Sequence, residues 1–294
     1  MAKLYAGTAG WSYKDWVGSF YPKEQGKDFD WLKFYSDYFN CVEVNSTYYT
    51  YLSPKIVEGW IEKIEEKEDF LFTVKLHQDF THKNDFNEEK IKAVKFNLNK
   101  LDKAGRLGGL LIQFPYSFSL TKENANRVKG LFDIFSEYEK FIELRHNSWM
   151  MERFFNFVSE NNASLCTIDQ PVIGKAIEFN PIAAGENLYI RFHGRNTKAW
   201  KNSLGKFGQT QTYEEQSERY DYLYSPGELI GIEQKIKEIL DTVKKIYVIM
   251  NNHPHGNAVA NALEMLHLLN ERIKIPVPPA TLKTYPQLST IALR

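Results

Sequence analysis

Tyr189-Ile190-Arg191-Phe192-His193 is an apolar run that ends in two charged or titratable side chains spaced two apart. Side chains of an extended chain alternate between faces, so Arg191 and His193 share one face while Ile190 and Phe192 share the other. The same arrangement recurs at residues 42–45, 73–77, 110–113, 141–145, 167–169 and 248–251, and a first run at 4–8 ends only in a hydroxyl. On this spacing Glu43 falls with Asn45, Lys75 with His77, and Glu143 with Arg145. Eight strands whose ends carry chemistry describe one mouth.

Between the runs lie stretches with helical spacing, at 29–38, 54–66, 87–103, 121–136, 149–160, 226–243 and 257–270. Pro54 after Ser53, Thr121 before Glu123, and Ser148 before residue 149 are expected starts. Strand then helix, repeated, predicts a parallel sheet covered by helices. Residues 170–186 hold Pro171, Gly174, Pro181 and Gly185 and show no helix. Residues 194–225 are long, polar and aromatic (Trp200, Phe207, Tyr213, Tyr220, Tyr222, Tyr224), as a lid or binding element would be. The tail from 275 to 294, with four prolines, is expected to run extended over the barrel.

An open doubly wound sheet is the competing topology. It would collect its site groups at a switch point and favour a glycine-rich phosphate loop after a strand, and neither feature is present. The reading is therefore α/β, a single (β/α)8 barrel over residues 1–294 with long site-face insertions after the sixth and seventh strands. The length suits it, because such a barrel needs about 250 residues. The 37 basic and 37 acidic residues cancel, so no global field draws the chain to nucleic acid or to an anionic membrane. No apolar run reaches the roughly 20 residues of a membrane span. Cys41 and Cys166 fall within strands and read as buried, reduced thiols, and the chain is expected in the cytoplasm.

In such a barrel the strand C-termini surround the active-site mouth. The groups expected there are Glu43, Asn45, Lys75, His77, Gln113, Glu143, Arg145, Asp169, Arg191, His193, Arg195, Asn251 and His253. Three carboxylates face four permanent cations in that set. The positive excess fits a small anionic or sugar-like ligand, and guanidinium groups match phosphate or carboxylate geometry. Gly194 and Gly256 lie in the loops after the seventh and eighth strands, where many barrels hold phosphate, and Asn257 is a candidate cap for the helix that follows. His77, His193 and Glu143 are the expected acid–base groups. The plainer reading is that Glu143 with Arg145 and Glu43 with Lys75 form buried ion pairs, although desolvating so many charges seldom favours stability. No cofactor is expected. A divalent metal stays open, since Glu43, Glu143, Asp169 and His193 can converge in space without any metal-ligand spacing in the sequence. Trp11 and Tyr13 after the first strand, and Tyr48, Tyr49 and Tyr51 after the second, are either stacking surfaces for sugars or bases or packing beneath loops.

Several segments together resemble one family. They are residues 7–16 (Gly7-Thr8-Ala9-Gly10-Trp11-Ser12-Tyr13-Lys14-Asp15-Trp16), 20–22, 43–49, 113–118, 143–149 (which brings in His146 and Trp149), 191–195 and 251–253. In order and content they are similar to the YecE-like family, domain of unknown function number 72. The resemblance implies a TIM-type barrel, sometimes described as related to sugar isomerases, and implies no settled activity. The leading functional expectation is an enzyme that isomerises or hydrolyses a sugar-like or phosphorylated small molecule. Its base or acid would be Glu143 or His193, and Lys75, Arg191 and Arg195 would hold the anionic group. The alternatives are a metal-dependent barrel that processes nucleic acid or nucleotides, and a barrel that binds a ligand without catalysis. The oligomeric state is left open.

Overall fold

The computed structural model of the chain describes residues 2–205 and 212–293, and Phe207 lies outside them. Eight strands, β1 (Lys3–Ala9), β2 (Cys41–Val44), β3 (Leu71–Lys75), β4 (Leu107–Gln113), β5 (Lys140–Glu143), β6 (Ala163–Asp169), β7 (Asn187–Phe192) and β8 (Lys245–Met250), form one closed barrel in chain order. All neighbours are parallel, and the ring closes where β1 pairs with β8 from Lys3 with Lys245 to Thr8 with Met250.

The strands are short and apolar because both of their faces are covered. One face fills the barrel with Tyr5, Cys41, Leu71, Leu111, Phe141, Cys166, Ile168, Tyr189, Tyr247 and Ile249. Tyr5 stacks on Tyr247 at 5.1 Å and Phe141 tilts against Tyr189 at 4.4 Å, so an aromatic plug floors the interior. Val42, Val44, Phe72, Val74, Leu110, Ile112, Leu188, Ile190 and Met250 face outward into the larger core beneath the helices. Both cysteines are free and buried. Their thiols are raised by burial and do not act as nucleophiles at neutral pH.

The helices occupy Trp31–Ser36, Pro54–Lys63, Glu88–Lys103, Lys122–Ile134, Glu152–Glu160, Pro226–Lys237 and Asn257–Leu269. Asp30, Asn87, Thr121 and Ser225 cap four of them through side-chain oxygens. Three expected starts differ. Ser53 holds the cap position without a cap bond. Ser148 accepts from the Leu120 N–H and bonds His146, so the helix expected from 149 begins at Glu152. Gly256, at φ +88°, takes the cap position assigned to Asn257, whose amide reaches Asp221 instead. The tail is not extended. Pro279 and Pro286 start a helix (Pro279–Thr284) and a 3-10 turn (Pro286–Thr290), as proline's fixed φ favours at a first turn.

Residues 170–186 carry no helix, and after β7 the chain forms helices Thr197–Gly205 and Tyr213–Ser217 and a 3-10 turn, Glu218–Tyr220. Among the described residues no helix is long and apolar enough to cross a membrane.

Barrel closure near β1 depends on a close approach. The Tyr35 hydroxyl accepts from the Thr8 N–H at 2.8 Å and donates to the Cys41 carbonyl at 3.0 Å, tying helix Trp31–Ser36 to two strands. A Cβ on Gly7 would lie 1.8 Å from that carbonyl and 2.6 Å from that hydroxyl. Gly7→Ala should therefore destabilise the fold by about 1–3 kcal/mol, as overpacking does. Thermal unfolding measures it, and a variant that melts with the wild type contradicts this packing.

Candidate functional site

The inner wall of the mouth is built on one guanidinium. Arg191, at the end of β7 and 1% exposed, lies between two fully buried carboxylates, Glu43 of β2 and Glu143 of β5. Its Nε and Nη2 donate to Glu43 at 2.8 and 2.7 Å, and its Nη1 donates to Glu143 Oε2. Tyr189 supports Glu43 from below, donating at 2.9 Å, and its own hydroxyl meets Thr73 at 2.8 Å. Arg145 grips the other oxygen of Glu143 through Nε at 2.8 Å and Nη2 at 2.7 Å. Burial opposes the Glu143 charge, and Arg191, Arg145 and the His193 hydrogen bond outweigh it and hold the carboxyl well below its usual range. Glu143 is thus an anchor for two cations and a poor base at neutral pH, which corrects its expected acid–base role.

His193 completes the wall. Its Nδ1 meets the Asn251 amide at 2.9 Å, and its Nε2 lies 3.3 Å from Arg145 Nη2 and 3.6 Å from Glu143. Burial first, then Arg145, pushes its pKa down to about 3. It stays neutral at physiological pH and can accept or donate one hydrogen bond, but it does not carry a proton as an imidazolium.

Lys75 differs from the other cations. It ends β3 on the same face, partly buried, with its ammonium 4.1 Å from the centre of the Tyr48 ring. Among the described residues no carboxylate lies within 4.0 Å of it, so the expected Glu43–Lys75 pair does not form and Arg191 takes Glu43 instead. Burial, followed by the field of Arg191, lowers its pKa to about 7.

Several expected members lie apart. In β6 the inward residues are Cys166 and Ile168, so Asp169 turns to the helix side. There it accepts from Arg195 at 2.8–3.2 Å and from the Tyr224 hydroxyl, while Arg195 also pairs with Glu228 at 3.1 Å. Asp169 does not join Glu143 and His193. Arg195, shared by two carboxylates, is a poor anion holder, which corrects both assignments. His77 also leaves the cluster. Its ring stacks on Tyr51 at 4.1 Å and its Nδ1 lies 3.4 Å from Asp79, in a side network closed by Lys83 and Lys90. Trp11, partly buried, packs edge-on against Trp60 at 5.3 Å at the margin of the core. Tyr13 stacks on His253 at 4.7 Å, beside the mouth. Asn45 and Gln113 reach the mouth at the ends of β2 and β4, and the Gln113 amide donates to the Phe114 carbonyl. His146 is held by Ser148 at 2.7 Å, one residue beyond Arg145.

One contributor escaped the sequence reading, and the aromatic segment expected after β7 reaches the site. A π-helical turn, Asp79–Lys83, follows β3 and carries His82 edge-on to Tyr48 at 5.2 Å. Burial, then the charges of Lys75 and Arg145, lowers its pKa to about 4. A five-residue π turn leaves no 3.6-residue periodicity to detect, and such turns often mark functional sites. The segment after β7 brings Trp200 and Tyr220 to 6.4 and 5.9 Å from the His193 ring, with Arg145 5.8 Å from the Trp200 ring. Among the described residues no three His, Cys, Asp or Glu side chains are grouped as a metal ion would require.

The family model described as "Protein of unknown function DUF72" matches residues 5–284. The UPF0759 protein YunF of Bacillus subtilis (strain 168) is 29% identical over 279 residues, 91% of this chain and 95% of that protein. The UPF0759 protein YecE of Escherichia coli (strain K12) is 27% identical over 143 residues, 49% of this chain and 48% of that protein. A DUF72 family protein of Thermotoga maritima MSB8 superposes with a TM-score of 0.77 at 30% identity, covering 91% of this chain and 99% of its own. One from Enterococcus faecalis V583 gives 0.76 at 28%, covering 91% and 95%.

Two outcomes follow from this geometry. Glu143→Gln should lower stability by about 3–5 kcal/mol, because it strips the counter-charge from two guanidinium groups; denaturant unfolding reads it, and an unchanged midpoint would show that Glu143 is not their anchor. The second concerns acid. His193 and His253 titrate near 6.5 when unfolded but near 3 and 4 when buried in the fold, so between those values the unfolded state binds more protons. Stability should fall as pH drops from about 6.5 toward 4, by at most about 1.4 kcal/mol per pH unit for each histidine. In His193→Asn the slope of unfolding free energy against pH should be shallower, and a slope equal to that of the wild type would contradict the buried, neutral assignment.

Proposed function

This chain belongs to the DUF72 family of proteins of unknown function, and we propose that its barrel mouth binds and isomerises a small, anionic, sugar-like molecule. The observation that carries the reading is the charge balance of the inner wall. Glu43 and Glu143 are neutralised by Arg191 and Arg145, and Lys75 is left as the excess positive charge. Arg145 uses Nε and Nη2 on Glu143, while its Nη1 makes no hydrogen bond to a described residue. That N–H pair, with the Lys75 ammonium nearby, suits a phosphate or carboxylate. The rings of Tyr48, Trp200 and Tyr220 around it suit the apolar face of a sugar.

Isomerisation is favoured over hydrolysis by the state of the carboxylates. Hydrolysis of a glycoside ordinarily needs one carboxyl as acid and a second as base or nucleophile. Both inner carboxylates here are committed to guanidinium groups, which leaves Lys75 for proton handling and the neutral imidazoles of His82 and His193 as hydrogen-bond partners. The same commitment leaves a metal-dependent nucleic-acid reaction without an uncommitted carboxylate on the inner wall among the described residues. The proposal is therefore a metal-independent, proton-transfer chemistry on a small molecule.

Ligand-dependent melting tests it without a known substrate. Fructose 6-phosphate or inorganic phosphate, at about 100 times its dissociation constant, should add about 2.7 kcal/mol of stability, a shift of a few degrees. Measured as an increment over each variant's own baseline, the shift should vanish in Arg145→Met and persist in Arg195→Ala. A shift that survives in Arg145→Met, or stabilisation by a divalent metal while phosphates do nothing, would overturn the reading.

A further inference from the structure

Lys75 has a neighbourhood that an ion-holding lysine does not need. Its Nζ lies over the Tyr48 ring, within the mouth and partly open to it, with no carboxylate within 4.0 Å among the described residues. The charged and titratable groups that face it are Glu43, Glu143, Arg191, Arg145 and His82. The two carboxylates among these are bound to the two guanidinium groups, so the four charges largely offset one another and burial is left as the main influence on the ammonium. An amine in a partly desolvated pocket beside other cations gives up its proton readily and becomes a nucleophile. The backbone is also fixed there: Thr47 donates to the Lys75 carbonyl at 2.7 Å, which ties the end of β3 to the turn carrying Tyr48.

We infer that Lys75 is an imine-forming nucleophile, and that the ligand of this mouth is a small aldehyde or ketone bearing a carboxylate or phosphate. The inference rests on the anion-binding reading above and names the reactive group that the ligand would carry. The neutral Nζ adds its lone pair to the carbonyl carbon, forming a C–N bond as the carbonyl π bond breaks, and one of the two N–H protons passes to the carbonyl oxygen to give a carbinolamine. That hydroxyl leaves as water with a second proton from solvent, and the nitrogen keeps one of its own hydrogens, which leaves a protonated imine. The positive C=N group draws electrons from the adjacent carbon and acidifies its C–H bond, the step an isomerisation of a carbonyl sugar requires. The pKa near 7 puts much of the amine in the reactive form at physiological pH.

Glyoxylate with cyanoborohydride tests this directly. The aldehyde condenses with an amine, loses water, and hydride plus a proton reduces the imine to a stable carboxymethyl-amine. Followed by peptide mass spectrometry on the intact folded protein at pH 7.5, Lys75 should label at least about tenfold faster than an exposed surface lysine. Lys92, 79% exposed on helix Glu88–Lys103, is the internal reference. The Lys75 rate should rise through a midpoint near 7, and in Lys75→Arg, which keeps the charge, total labelling should fall to the surface background. Labelling of Lys75 no faster than Lys92 would overturn the inference. If phosphate stabilises the fold while Lys75 stays unlabelled, the imine fails and anion binding stands; if Lys75 labels fast while no anion stabilises, the reverse holds.

Discussion

The guanidinium of Arg191 bound between Glu43 and Glu143 is the interaction on which the mouth depends. Three charges are buried at the centre of the barrel with at most 1% exposure each. Removing any one would strand the others in a medium of low dielectric, where breaking a buried pair costs about 3–5 kcal/mol. A set of apolar residues could fill the same space, and buried ion pairs are seldom retained for stability alone. What the network does provide is a rigid wall whose carboxylates are fully occupied. From that wall follow the low basicity of Glu143, the orientation of Arg145, the neutral state of His193 and the isolation of Lys75.

Much of this was legible in the sequence, and the failures have physical causes. The runs at 42–45, 141–145 and 189–193 revealed both strand and inner face, because a buried polar group at every second position fixes the phase. In β6 polar residues fall on both faces, Ser164 on one and Thr167 with Asp169 on the other, so the phase was undetermined. The structure puts Ile168 inside and sends Asp169 to Arg195. Strand spacing correctly joined Glu143 to Arg145 but could not find the cross-barrel partner of Glu43, since Arg191 is 148 residues away. His82 rests on a π turn with no periodic signature. The proline-bearing tail was expected to run extended, whereas Pro279 and Pro286 begin helical turns. The closed barrel itself came from the repeat of strand and helix with no glycine-rich switch-point loop.

Solved relatives share this barrel at TM-scores of 0.77 and 0.76, and the family carries no assigned activity. A barrel of this kind supports many chemistries through its loops, so function has to be argued from the site. Here the site contains two guanidinium groups in a fixed frame, aromatic rings from the turn after β2 and the segment after β7, and the Lys75 amine, with no carboxylate within 4.0 Å among the described residues. That combination favours a reaction in which a proton moves next to a carbonyl over one in which two carboxyl groups cleave a bond.

Because the Arg191 frame engages both carboxylates, no ion pair forms at Lys75 among the described residues. Heteronuclear NMR of lysine labelled with carbon-13 at Cε, with the Lys75 signal assigned by its loss in Lys75→Arg, measures this directly. One lysine should titrate near pH 7, far below the 10.5 of an ordinary lysine side chain. A Lys75 midpoint near 10.5 would contradict it.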